Sequence, residues 1–221
     1  MIKLIYCINR VPNLSVEEFQ EYWFNTHGPI AGAIKGVRRY LQCHTLPESY
    51  ADDQQPPFDG CAQLWWDNAE AMAADRGSPE VAAALEDEKK FIDHSRVAMF
   101  VVREHEIVGK GTSGIGLAKM IVCTRGRPDF EGDVADYWLN THAPIVSKLP
   151  GLRKYTVCLA EPAAERPFDG AAELYFDDIA SANTAFASPE GREAGADTAK
   201  LFDTSALRIF YTREKVVVEG R

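Results

Sequence analysis

The sequence predicts an α+β fold made of two ferredoxin-like βαββαβ repeats in one chain. The first observation is a segment, YWFNTHGPI at 22–30, that returns as YWLNTHAPI at 137–145. The second is that strand-like and helix-like patterns follow the same order in both halves. The third is the length, because 221 residues suit two units of about 110.

The repeat also predicts where the two domains meet. The matching segments lie 115 residues apart at first and 110 apart from 57–60 and 167–170 onward, so the second copy has a shorter loop. We expect domains at 1–108 and 118–221, joined by a glycine-rich linker at 109–117. The linker contains a G-x-G-x-x-G pattern, but a strand follows it, whereas a dinucleotide-binding loop needs a helix there.

The first strand and helix of each repeat are predicted by alternation and by a cap. Residues 3–9 alternate and are rich in β-forming residues, which is typical of a strand. Ser15 and Glu18 match a capping box, so a helix should begin at 16. Along that helix Trp23 and His27 lie on one inward stripe.

The other elements complete a split βαβ order. Strands are expected at 37–44 and 60–67, and Ser78 followed by proline predicts the start of the second helix. The last strand should run over 97–108, and the second half repeats every element. Helices on one face leave a half-covered sheet, so two copies can pack sheet against sheet as an intramolecular dimeric α+β barrel.

Composition excludes several classes of function. The chain has 24 Lys and Arg against 33 Asp and Glu, a net charge of -9, which does not suit nucleic acid. No apolar run approaches the roughly 18 residues of a membrane span. The five cysteines form no Cys-x-x-Cys pair, which favours reduced thiols and a cytoplasmic protein. The acidic run 86–90 is interpreted as a solvated helix face.

His27 and His142 are the first candidates for chemistry, since they are the only histidines that the repeat matches. Each follows a tryptophan by four residues and precedes a proline by two, so we expect the helix to kink or pause there. A cavity beside an imidazole suits proton transfer near neutral pH. The alternative is a buried structural histidine that satisfies a freed carbonyl.

Tyr40 and Tyr155 lie on the second strand of each repeat and are the next candidates. A phenol can polarise a carbonyl oxygen, although core packing is an equally simple role. No His, Cys, Asp and Glu cluster has the spacing of metal ligands, so we expect no metal. Further residues expected to line a substrate pocket are Tyr6, Trp23, Asn25, Trp65, Trp138, Asn140 and Tyr175.

The repeated segment around Trp23 and His27, and around Trp138 and His142, resembles the signature of the EthD family. The resemblance extends over both halves. It includes the Phe-Asp-Gly segment, which ends at Gly60 where the third strand is expected to begin. It implies a dimeric α+β barrel. Members include a protein encoded with ethyl tert-butyl ether degradation genes, fungal polyketide dehydratases or decarboxylases, and methylmuconolactone isomerases. It also implies catalysis without metal or organic cofactor, with the acid/base role on the two histidines.

Three hypotheses of function follow. The leading one is a cofactor-independent lyase or isomerase acting on a small apolar oxygenated compound, such as an aromatic, a lactone or a polyketide, in catabolic or secondary metabolism. The second is a non-enzymatic binding or accessory protein of a degradation pathway. The third is a haem- or oxygen-using monooxygenase, for which His94 is the candidate axial ligand. A small-molecule substrate and an internal pseudo-dimer are expected, and a further homodimer is left open.

Overall fold

The computed structural model describes residues 1–53 and 55–220, with only the backbone described for residues 52 and 53. The chain divides into two compact units. The first unit is Met1–Arg103 with Glu214–Arg221, and the second unit is Glu104–Arg213. Strands and helices follow a βαββαβ order twice along the chain, which confirms the predicted α+β fold class.

The first repeat has the predicted βαββαβ order. Its strands and helices are β1 (Ile2–Ile8), α1 (Val16–Tyr22), a π-helical turn (Trp23–His27), α2 (Gly28–Gly32), β2 (Arg39–Thr45), a 3-10 helix (Pro47–Asp53), β3 (Gly60–Trp66), α3 (Ala69–Asp75), α4 (Pro79–Glu88), a 3-10 turn (His94–Arg96) and β4 (Ala98–Val108).

The second repeat follows the same plan. Its elements are β5 (Ala118–Thr124), α5 (Val134–Tyr137), a π-helical turn (Trp138–His142), α6 (Ala143–Val146), β6 (Lys154–Ala160), β7 (Gly170–Phe176), α7 (Ile179–Ala187), α8 (Pro189–Leu201) and β8 (Arg208–Val218).

Each repeat builds an antiparallel sheet of ferredoxin-like order. In the first, β1 lies between β3 and β4, with Ile5 opposite Gln63 and Phe100. In the second, β5 lies between β7 and β8, with Ile121 opposite Glu173 and Phe210. The strands β4 and β8 have 11 residues against the seven of β1 and β5, and the compact units divide both long strands. This is where the unit bounds differ from the expected domains.

The helices α1 and α4 begin where the sequence predicts, whereas α3 (Ala69–Asp75) and α7 (Ile179–Ala187) were not predicted. The Ser15 side chain accepts from the backbone of Glu18, whose carboxylate accepts from the Ser15 N–H at 2.8 Å. Ser78 caps α4, with Pro79 in the first turn. Such caps satisfy amide groups that a helix start leaves without an intrahelical partner.

The helix is irregular before Pro29, where a kink or pause is expected, and the irregularity is a widening of the helix. Gly28 N–H bonds to Trp23 O across a π-helical turn, and the Gln42 side-chain amide donates to the same carbonyl at 2.8 Å. Pro29 then lies in the first turn of α2, where a helix tolerates a residue without an N–H. The irregularity that proline signals is therefore an extra residue in the helix, not a break.

The repeated Phe-Asp-Gly segment has a packing reason. A side chain at Gly60 would overlap the Trp23 ring, and one at Gly170 would overlap Trp138. Glycine thus lets each strand pass directly beneath the tryptophan that precedes the histidine.

Among the helices of the described ranges, none combines the length and the apolar character that a bilayer crossing requires.

Candidate active site

The first unit contains a cavity of about 440 Å³ between its helices and its sheet. This is within the size range of pockets that bind small molecules. Most of its lining is aliphatic or aromatic, including Trp23, Leu64 and Trp66. The polar or titratable side chains that also line it are Tyr6, His27, Tyr40, Asp75, Arg76, Glu88 and His94.

His27 is fixed by a buried carboxylate. It ends the π-helical turn and is 4% exposed, and its Nδ1 lies 3.0 Å from Oδ2 of Asp87. The other carboxylate oxygen accepts from the Tyr22 hydroxyl at 2.8 Å and from Lys90 Nζ at 2.9 Å. Because Nδ1 faces Asp87 and the ring lines the cavity, Nε2 is the nitrogen left for a ligand.

The charges of this pair suit a base. Burial lowers the pKa of His27, although the hydrogen bond and charge of Asp87 oppose that shift. Burial alone would raise the pKa of Asp87, but hydrogen bonds from Lys90, Tyr22 and His27 lower it overall. At neutral pH the pair is therefore an ionised carboxylate holding the Nδ1–H of a neutral imidazole, which leaves Nε2 as an acceptor of protons.

A second carboxyl group reaches the same cavity. Glu88 is 7% exposed, and its Oε2 accepts from the Tyr6 hydroxyl at 3.1 Å. Burial raises the pKa of Glu88 to about 7, with the charge of Asp87 adding to the rise and the Tyr6 hydrogen bond opposing it. His94 Nε2 lies 3.8 Å from the same oxygen. The interpretation of run 86–90 as a solvated helix face is thus wrong for Asp87 and Glu88, which are both buried.

Tyr40 contributes a neutral hydroxyl. The side chain is 1% exposed and lines the cavity, and its oxygen accepts from Gln42 Nε2 at 3.0 Å. Burial raises the pKa of this phenol, so it keeps its proton at neutral pH. A phenol held in this way can donate to a carbonyl oxygen of a ligand.

The second unit keeps the histidine pair. His142 is 5% exposed, and its Nδ1 lies 2.8 Å from Oδ2 of Asp197. The Tyr137 hydroxyl donates to the other oxygen at 3.0 Å. Burial again lowers the pKa of the histidine against the opposing effect of its carboxylate. Tyr155 accepts from the Trp138 indole at 3.2 Å.

The interior around that pair is nearly filled. Its cavity measures about 80 Å³, against about 440 Å³ in the first unit. Phe202 and Phe186 line it at the repeat positions of Ile92 and Arg76. The acid–base residues have also changed, because the repeat positions of Glu88 and Tyr6 hold Thr198 and Val122.

Some residues expected in the pockets do not line them. The cavity lining includes Trp66 but not Trp65, whose ring lies 5.0 Å from Lys3 Nζ on the other face of the strand. Tyr175 is placed in the same way, 5.2 Å from Lys119 Nζ. Successive strand residues point to opposite faces, so sequence alone leaves open which of two adjacent aromatics points inward.

The two asparagines are the other correction. Asn25 and Asn140 lie in the π-helical turns, are exposed and line neither cavity. Asn140 instead donates to the carboxylate of Asp136 at 2.8 Å, one helical turn earlier. In contrast, Tyr6, Trp23 and Tyr40 line the first cavity, and Trp138 and Tyr155 line the second, while their roles toward a substrate stay predictions.

Asp87 and Glu88 are the functional candidates that the sequence reasoning missed. The repeat carries a signal for the first, because Asp87 and Lys90 return as Asp197 and Lys200. The signal is weak, because the repeat also keeps the exposed carboxylates Asp67 and Asp177 at matched positions. For Glu88 the repeat gives no such signal.

One group of side chains in the described ranges has the geometry to hold a metal ion. The ligand atoms of Glu104, Cys158 and Glu173 lie within 4.8 Å of one another. Lys119 Nζ lies 3.0 Å from Glu173 and supplies a positive charge that a cation would have to displace. None of the three residues lines either cavity, and the expectation of a metal-free protein stays a prediction.

All five cysteines are buried, and none of them forms a disulfide in the described residues. They include Cys43 and Cys158, which occupy the same place in β2 and β6. None lines the cavities. Their burial agrees with small inert side chains of the sheet.

Comparison with known proteins identifies the family. The family model for the EthD domain matches residues 11–95 and 131–205. An uncharacterized 11.0 kDa protein from the thcB-thcC intergenic region of Rhodococcus erythropolis is 31% identical over 85 residues, which are 38% of this chain and 82% of that protein. An EthD family protein from Bacillus halodurans C-125 is 30% identical, covering 42% of this chain and 95% of its own, with a TM-score of 0.35.

The fold has a broader likeness. An anthrone oxidase-like protein matches 99% of this chain and 93% of its own with a TM-score of 0.70 at 10% identity, which shows the fold alone. The EthD matches, in contrast, include both segments with the Trp and His motif and extend over more than half of the chain. The chain therefore belongs to the EthD domain family.

Proposed function

We propose that the protein is a cofactor-independent lyase or isomerase whose acid–base chemistry occurs in the first-unit cavity. The observation that carries the proposal is the His27–Asp87 pair, whose ring lines a cavity of about 440 Å³. The substrate would be a small, largely apolar, oxygenated compound, such as an aromatic, a lactone or a polyketide. The apolar lining with a few polar groups supports that class.

The first step would be removal of a proton from carbon. Nε2 of His27 would accept a proton from a carbon next to a carbonyl, while Asp87 stabilises the imidazolium that forms. The Tyr40 hydroxyl would donate to the carbonyl oxygen as negative charge develops there. Exclusion of water by the aromatic walls strengthens both interactions.

The proposal assigns the chemistry to one histidine. His142 has the same carboxylate partner, but the cavity of about 80 Å³ beside it leaves little room for a ligand. In the second unit the pair would act in packing, which is the structural alternative raised by the sequence. The five buried thiols support a cytoplasmic location as part of the proposal.

The test follows proton exchange on a model ketone. The probe is 2-tetralone, whose α-carbon hydrogens exchange with deuterium in D2O and can be followed by NMR. Wild type should accelerate the exchange over buffer, and His27→Gln should lose roughly 10²–10⁴-fold of that acceleration. His142→Gln is the matched control and should keep it. Wild type that equals buffer, or equal losses in both variants, would contradict the proposal.

The same cavity supports the second candidate, a non-enzymatic binding protein of a degradation pathway. Binding of 2-tetralone without accelerated exchange would favour it. The monooxygenase hypothesis has less support. His94 is 45% exposed and lies beside the Glu88 carboxyl at 3.8 Å, so a nearby acid competes for its imidazole.

A further inference from the structure

We infer that Glu88, held by Tyr6, is a second proton-transfer group of the first-unit cavity and selects an uncharged oxygenated ligand over a carboxylate of similar shape. The inference rests on the proposed function of that cavity. It assigns a role to a residue pair that lies on different elements, α4 and β1, and that the sequence motifs do not contain.

The geometry brings both groups to the ligand space. Glu88 and Tyr6 both line the cavity, and their side chains are joined by the 3.1 Å hydrogen bond. The other titratable groups near Glu88 are Asp87 beside it on α4, Tyr40 on β2 and His94 on the following 3-10 turn. Asp75 and Arg76 also line the cavity, and the Asp75 carboxylate accepts from the Trp66 indole at 2.7 Å. His27 lies along the same wall, through its bond to Asp87.

Burial of this carboxyl group works against folding, which points to a function. A carboxylate placed in apolar surroundings is unfavourable unless a strong partner offsets its lost hydration. The second repeat keeps the same fold with Thr198 and Val122 at these positions. The fold therefore does not need the pair. Buried charged residues that do not stabilise the fold are typical of functional sites.

The pair completes a proton transfer that one base alone would leave half finished. His27 would take a proton from the carbon next to a carbonyl, and the electrons of that C–H bond would form an enolate. The protonated carboxyl of Glu88 would return a proton to a carbon two atoms further along the conjugated system. The product is an isomer of the substrate, and transfer of the proton from His27 to Glu88 through solvent restores both groups.

The same carboxyl group sets the charge of the ligand. Glu88 exchanges between its neutral and ionised forms near neutral pH, since its pKa is raised to about 7. When ionised, it repels a ligand carboxylate in a medium of low dielectric constant. A hydroxyl or carbonyl group can instead form a hydrogen bond with either form.

The experiment compares 1-naphthol with 1-naphthoate, which share the ring system and differ in charge. Binding is measured by titration calorimetry at about pH 5.5 and about pH 8. In wild type, naphthoate should bind on the order of tenfold more weakly at the higher pH, whereas naphthol should bind equally well at both. Glu88→Gln should remove the pH dependence. Thr198→Gln, at the matched position of the second unit, should behave as wild type.

A further variant separates Glu88 from other titrating groups. The Tyr6 hydrogen bond lowers the pKa of Glu88, so Tyr6→Phe should move the midpoint of the naphthoate profile to higher pH. In Glu88→Gln, isomerisation of 3-cyclohexen-1-one to the conjugated 2-cyclohexen-1-one should slow markedly, because a proton must return two atoms from the carbon that loses one. The same variant should keep the 2-tetralone exchange and show unchanged circular dichroism. Failure of both naphthalenes to bind, or a naphthoate profile unchanged in Glu88→Gln, would overturn the inference.

The outcomes also separate the two proposals. Exchange that depends on His27, together with isomerisation that does not depend on Glu88, overturns only this inference. The predicted binding pattern without any exchange in wild type contradicts the proposed function, and leaves Glu88 as a selector of ligand charge.

Discussion

The two units share a backbone plan and a buried His–Asp pair, yet they differ in what surrounds that pair. In the first unit His27 lines a cavity of about 440 Å³, and in the second His142 borders about 80 Å³. A histidine that is hydrogen-bonded to a carboxylate is therefore not sufficient evidence for a catalytic role. The space beside it and the second carboxyl group, Glu88, distinguish the two.

The pair in the second unit shows what such a group does for the fold. Asp197 accepts from both His142 and Tyr137, so one carboxylate of α8 holds the π-helical turn and the helix before it. Asp87 makes the same contacts to His27 and Tyr22. The two hypotheses for the matched histidines, structural and catalytic, thus need not apply equally to both.

The largest effect is expected when the carboxylate of each pair is changed to an amide. An Asn at position 87 can donate to Nδ1 of His27, which would place the ring proton on Nε2 and remove the base. We expect Asp87→Asn to lose roughly 10²–10⁴-fold in the exchange of 2-tetralone, and Asp197→Asn to keep it. Both should lose about 1–3 kcal/mol in the free energy of unfolding. Similar losses of activity in the two variants would remove the distinction between the units.

The next effect concerns stability and pH. The pKa of Glu88 rises from its usual 4.5 to about 7 on folding, so between these values the folded state holds a proton that the unfolded chain releases. The contribution of this group to stability is therefore present below 4.5 and lost as the pH rises to 7. Glu88→Gln has no charge to bury, and should exceed wild type by about 3 kcal/mol at pH 8 but not near pH 4.5.

Urea unfolding at several pH values measures that difference. Thr198→Gln is the control, because Thr198 carries no ionisable group whose loss could change the pH dependence. A stability gain in Glu88→Gln that does not vary with pH would show that the buried carboxyl is not the cause.

The smallest effect comes from exchanging the residues that fill or leave space. Ile92→Phe places in the first cavity the residue type that Phe202 has in the second. It should weaken 1-naphthol binding on the order of tenfold, because the larger side chain reduces the volume of the cavity. Phe202→Ile does the reverse and should cost about 1–2 kcal/mol in the free energy of unfolding. It should not create exchange activity, since Phe186 still lines and narrows the second cavity. Calorimetry and urea unfolding check the two halves of this prediction.

Much of the architecture could be predicted because it depends on local signals. The capping box at Ser15, the Ser-Pro start at Ser78 and the alternation of β1 specify their elements without distant contacts. The Ser-Pro start returns at Ser188, but the capping box does not return, because Asp133 caps the matching helix alone. The π-helical turn was harder to predict from the sequence. A proline predicts an irregular helix but does not specify whether the helix breaks or gains a residue.

The site was predicted only in part because it depends on packing. Trp65 and Trp66 alternate across one strand, and nothing local says which points to the helices. Along α4, Asp87 and Glu88 follow buried Ala84 by one helical turn, but their charge suggests an exposed face. The cavity itself depends on differences such as Phe202 for Ile92, whose effect on volume appears only once the elements have packed.

The widened turn also records an order of events. Trp23–His27 and Trp138–His142 form it at corresponding positions, and each is joined to a carboxylate of its own second helix. A feature shared by both copies is most simply inherited from a single ancestor that had it before duplication. The pairs Glu88/Thr198 and Tyr6/Val122 differ, so that divergence followed. The widened turn is thus the older trait, and the difference in the side chains around the histidine is the younger one.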